Sequence, residues 1–90
     1  MNIRFDQDKR DKTLEERGLD FARAEEIFAG QHLTRIDDRQ EYGENRYITA
    51  GMLDGRIVIM VWTPRGETCR IISMRRANER EIKRLQAHLG

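Results

Sequence analysis

The sequence predicts an α+β fold: two N-terminal helices, a four-stranded antiparallel meander, and a C-terminal helix. Three observations predict it. Helix caps and helically spaced apolar residues occupy the chain up to Gly30. From Leu33 the apolar period shortens to that of strands. A capped amphipathic stretch closes the chain from Asn78. The 90 residues imply one domain spanning 1–90. A chain of this size buries roughly 60–65% of its unfolded surface, which is enough for one thin core.

Ile3–Asp6 reads as a short edge strand, and Asp6 as the N-cap of a polar surface helix running to Arg17 and stopped by Gly18. Asp20 caps a second helix. Phe21, Ala24, Ile27 and Phe28 share one face of it, Leu19 staples against Ala24, and Gly30 ends it. Leu33–Asp37 reads as a strand. Arg46–Ala50 is another, with Arg46, Ile48 and Ala50 on one face and Tyr47 and Thr49 on the other. Asp54-Gly55 is a hairpin signal. The unbroken apolar run Ile57–Trp62 fits a central strand covered on both sides. Pro64-Arg65-Gly66 reads as a turn. In Thr68–Met74 the alternation assigns Arg70, Ile72 and Met74 to one face and Cys69, Ile71 and Ser73 to the other. Asn78 and Glu81 form a capping box, and Ile82, Leu85 and Leu89 make the buried stripe of the last helix. The helices are expected on one face of the sheet. Whether the last one folds back or awaits a partner is open at this level.

Composition narrows the function. Charged residues make up 37% of the chain and the hydrophobic set 38%, a balance that supports a globule rather than a disordered tail. No apolar run approaches the ~18–20 residues of a membrane span, and Met1–Arg10 is polar. The expectation is a cytoplasmic protein with no membrane association. Cys69 is the only cysteine, so no internal disulfide forms. With His32 and His88 the only histidines, a His/Cys zinc site is excluded within one chain. Residues 1–45 carry 8 basic and 12 acidic side chains, and residues 46–90 carry 9 and 4. The halves thus differ in sign, and 14 of the 17 basic residues are arginine. A guanidinium offers a planar fork of donors matched to phosphate oxygens, so the basic half is a candidate phosphate-binding face.

Phosphate-binding glycine loops, HExxH, CxxC and nucleophile-elbow motifs are all missing, so no cofactor and no metal are expected. The remaining polar groups suit one reaction. RNA carries its own nucleophile, the 2′-OH. Its cleavage needs a base, cations to stabilise charge on the phosphate, and an acid for the leaving oxygen. Glu44 is the candidate base, and Arg46, Arg70 and Arg75 are the candidate phosphate holders. Tyr47, Arg65, Arg76 and His32 are candidates for substrate binding. Each also has a plainer reading. Glu44 and Arg46 pair at the start of a strand, Arg70 ends an alternating strand, and Tyr47 and Trp62 pack. Arg75 and Arg76 precede a helix N-terminus, where the dipole disfavours cations, which gives them a reason to serve another role. The alternative to catalysis is a binding module whose basic half contacts a protein partner or operator DNA.

Phe5-Asp6 with Lys9, Arg17-Gly18-Leu19-Asp20-Phe21 with Ala24 and Phe28, Asp38, and Gly43-Glu44-x-Arg46-Tyr47 form one set of motifs. Gly51 with Asp54-Gly55, Val61-Trp62-Thr63, and the run from Arg70 to Ala77 with Glu81 form another. Together they cover nearly the whole chain, and the chain resembles the BrnT toxins of bacterial type II toxin–antitoxin modules. The resemblance implies a RelE-like fold and a ribonuclease toxin that stops translation. It also implies a BrnA-like antitoxin with a ribbon-helix-helix DNA-binding domain, and repression of operator DNA through that antitoxin. The chain departs from the family in two places. Glu16-Arg17 stands where Lys-His is frequent, and Leu85 stands where an aromatic is common.

Overall fold

The structure, a computed structural model, describes residues 1–89. Its elements run β1 (Asn2–Phe5), α1 (Gln7–Arg17), a 3₁₀ turn (Phe21–Arg23), α2 (Ala24–Ala29), β2 (His32–Ile36), β3 (Tyr47–Leu53), β4 (Arg56–Arg65), β5 (Thr68–Arg76) and α3 (Glu79–Leu89). The strands form one mixed sheet in the order β1-β5-β4-β3-β2. β2 to β5 pair antiparallel, and β1 joins the far edge parallel to β5. The expected RelE-like α+β arrangement, two N-terminal helices plus a four-stranded antiparallel meander with a C-terminal helix, is therefore corrected to a five-stranded mixed sheet. The N-terminal segment completes that sheet because Ile3 and Phe5 pack against the core beneath α1 and α2, which places Asn2–Phe5 in register with Thr68–Ile71.

Local chemistry sets the helix ends. The Asp6 side chain accepts from Lys9 N–H, and Gly18 closes α1 in the left-handed conformation at φ 70°. Asp20 accepts from Ala22 N–H and also holds Arg10 through two bonds of 2.9 Å. Its cap opens a 3₁₀ turn that leads into α2. Asn78 Oδ1 accepts from Glu81 N–H at 2.8 Å while Glu81 Oε1 accepts from Asn78 N–H at 2.9 Å, the reciprocal capping box. Asp54 (φ 52°) and Gly55 (φ 75°) both take positive φ between β3 and β4, as a two-residue hairpin loop requires.

The helices do not share one face. On one side, Phe21, Ala24 and Ile27 pack on Leu53, Val58, Met60, Ile71 and Met74. On the other, Leu89 and the half-buried Leu85 of α3 cover Ala50, Ile57 and Ile59. Covering both sides explains the unbroken apolar run of β4: its alternate residues feed two separate clusters. Ile82, expected in the buried stripe, is 37% exposed at the rim. Pro64 and Arg65, expected in a turn, belong to β4 and pair with Cys69 and Thr68. The turn begins at Gly66, whose φ is 59°.

One irregularity sets the geometry of the site. Val61 pairs with Ser73 but Trp62 pairs with Ile71, so Ile72 is an extra residue, a β-bulge. In an unbroken strand Arg70 and Arg75, five positions apart, would face opposite sides. The bulge reverses the phase between them. Cys69, Ile71 and Met74 then share the α2 side, while Arg70, Ser73 and Arg75 share the α3 side.

Candidate functional site

Residues paired across neighbouring strands share a sheet face, about 4.8 Å apart. On the α3 side one such row runs from Arg4 in β1 to Arg70 in β5 and Thr63 in β4. Arg46 directly precedes the Tyr47–Trp62 pair, so alternation turns it to the same face beside Thr63; its carbonyl accepts from Asp37 N–H at 2.8 Å, one step beyond the β2–β3 ladder. Thr63 is buried, and its hydroxyl donates to the Asn45 carbonyl at 2.6 Å, which ties the loop before β3 to β4. The next row outward brings in Arg65, and Glu44 lies between the two rows. Its carboxylate accepts from Arg46 Nε at 3.4 Å and from Arg65 Nη2 at 3.2 Å. The Arg46 guanidinium lies over the Tyr42 ring, 4.0 Å from its centre, an aromatic support that steadies it.

Toward α3 the face turns apolar and concave. Ile48, Ala50, Ile59 and Val61 floor a cleft of about 300 Å³. Arg35 and Arg39 line one side and Arg75, Arg84 and Glu81 the other. Arg75 grips Glu81 through two bonds of 2.7 and 2.9 Å. That grip and the Asn78 N–H hold the Glu81 carboxyl down at about 2. Arg39 grips the buried Asp37 carboxylate through two bonds of 2.7 Å and likewise holds it at about 2. Among the described residues, no three His, Cys, Asp or Glu side chains group as metal ligands.

Glu44, Arg46, Arg65, Arg70 and Arg75 therefore lie on one face. Glu44, Arg46 and Arg65 touch, Arg70 lies in the row of Arg46, and Arg75 is farther along β5 in the cleft. The other three candidates lie elsewhere. Tyr47 stacks on Trp62 on the α2 side, ring centres 5.0 Å apart. His32 is also on that side, its Nδ1 2.8 Å from the Gly30 carbonyl and its ring edge-on to Phe28. Arg76 pairs with Val58 and reaches toward Gly18 of the α1 terminus. Sequence reasoning missed Arg4, Arg35, Arg39 and Arg84. Arg84 had a signal, since it lies one turn beyond Glu81. Arg4 had none until β1 was known to flank β5.

The mixed sheet thus presents guanidinium groups from several strands on one open face, with a carboxylate held between two of them, and guanidinium forks of this kind match phosphate oxygens in geometry and charge. The chain belongs to the BrnT family: the profile described as "Ribonuclease toxin, BrnT, of type II toxin-antitoxin system" matches residues 5–81. The activity of that family is RNA cleavage, and its type II class implies an antitoxin partner. No curated protein matches the chain. Among the described residues, no helix is long and apolar enough to cross a membrane.

Proposed function

We propose that this chain is an endoribonuclease that cleaves RNA without a metal ion and thereby inhibits translation. Its neutralising partner is a BrnA-like antitoxin whose ribbon-helix-helix domain carries the complex to operator DNA. The observation that supports the chemistry most is the cross-strand row. Arg46 and Arg70 flank Thr63 from the strands on either side of β4, about 10 Å from each other between backbones. Two long guanidinium side chains at that spacing can close on a single phosphodiester from both sides.

In this reading the RNA 2′-OH attacks the adjacent phosphorus. Glu44, oriented by Arg46 and Arg65, accepts the hydroxyl proton. Arg46 and Arg70 stabilise the charge gathering on the phosphoryl oxygens, and Arg75 adds to them from the cleft. The P–O5′ bond breaks, water protonates the departing 5′-oxygen, and a 2′,3′-cyclic phosphate remains. The arginines supply the positive charge that a metal ion supplies elsewhere.

The test is incubation of purified protein with RNA in EDTA. Cleavage is expected to continue and to leave 2′,3′-cyclic phosphate ends. Activity abolished by EDTA refutes the metal-free route, and no cleavage with or without metal refutes the nuclease.

A further inference from the structure

Arg4 and Arg70 are paired in register on neighbouring parallel strands and face the same side. Like charges placed directly opposite one another are destabilising. Sheets usually relieve such a pair with a carboxylate, as Glu44 relieves Arg46 and Arg65 in this chain. Among the described residues, neither Arg4 nor Arg70 has an ion pair or a side-chain hydrogen bond. The neighbouring pairs on that side are Asn2 with Thr68, then Arg65 with Thr68, and neither offers Arg4 an anion. The nearest acidic residue in sequence, Asp6, accepts from Lys9 N–H at the start of α1. Ile3 and Phe5 turn into the core, so Arg4 is the exposed residue that alternation leaves on the open face.

We infer that Arg4 and Arg70 form a phosphate subsite for the RNA backbone, one position outward from the phosphodiester held between Arg70 and Arg46. This rests on the nuclease reading above and extends it. The cross-strand row becomes a track in which Arg46, Arg70 and Arg4 follow successive phosphates across the sheet toward its β1 edge. Arg4 lies just outside the segment that matches the family, so this contact belongs to the chain's own N-terminal strand.

The experiment measures binding of a short 2′-O-methyl RNA, which cannot be cleaved, between about 50 and 200 mM salt. Each phosphate contact on a single strand contributes about 0.7 to the slope of log affinity against log salt. Arg4→Gln is expected to weaken binding at low salt and to lower that slope by about 0.7, while Arg4→Lys keeps the slope. An unchanged slope in Arg4→Gln, or an equal loss in Arg4→Lys, overturns the subsite. So does an effect of Arg4→Gln confined to antitoxin affinity, which would assign the pair to the protein partner. Failure of the unaltered protein to bind the RNA at any of these salt concentrations overturns the nuclease reading and the subsite together.

Discussion

Glu81→Gln separates the charge of one ion pair from its geometry. The substituted amide can still accept from Asn78 N–H, so the helix cap survives, while Arg75 loses its carboxylate partner. The magnitude follows from the titration. Arg75 holds the Glu81 carboxyl at about 2 against an ordinary 4.5, a ceiling of about 3 kcal/mol. Glu81 is 15% exposed but Arg75 is 47% exposed, and solvent screening on the arginine side reduces the pair to about 1–2 kcal/mol. Because the folded carboxyl titrates below its unfolded counterpart, the stabilisation is complete above pH ~5 and is lost as pH falls from 4.5 toward 2. Urea denaturation of both proteins from pH 7 to pH 2 checks this. The variant should be less stable by about 1–2 kcal/mol at pH 7, and the difference should shrink toward zero near pH 2. Subtracting one protein from the other cancels Asp37, which titrates in the same window. A difference that stays constant across the range refutes the electrostatic account and leaves packing as the cause.

Three other outcomes are expected. Arg46→Ala and Arg70→Ala should each reduce RNA cleavage by about 10²–10³ with the fold retained, read from single-turnover rates and circular dichroism; full activity in both removes the phosphate from the row. Gly51→Ala should cost about 1–3 kcal/mol, because the added Cβ would lie 2.6 Å from Ile27 Cγ2 and 3.4 Å from the Ile27 carbonyl in a closed part of the core; a urea midpoint matching the parent's would show that α2 lifts freely. Cys69 is buried, and burial pushes its thiol up to about 11, so a thiol reagent should label it at neutral pH only at the rate of unfolding; rapid labelling of the folded protein contradicts the packing beneath β1 and β5.

Local chemistry was legible in the residues alone. Asp6 and the Asn78–Glu81 box cap what they were expected to cap, because a side chain two or three positions from its backbone partner needs no tertiary context; Asp20 instead caps the 3₁₀ turn ahead of α2, which itself has no side-chain cap. The Asp54-Gly55 hairpin and the β4 apolar run were readable for the same reason. The resemblance to the family was equally a property of the chain. Three things were decided only by tertiary structure. β1 pairs in parallel with a strand more than sixty positions away, and no local pattern encodes such a partner. The side of the sheet that α3 covers depends on which apolar face remains open once α1 and α2 are docked. The bulge at Ile72 is the third. Strict alternation separates Arg70 from Arg75, and the single extra residue returns them to one face by the same phase change that puts Ile71 and Met74, three positions apart, in one core.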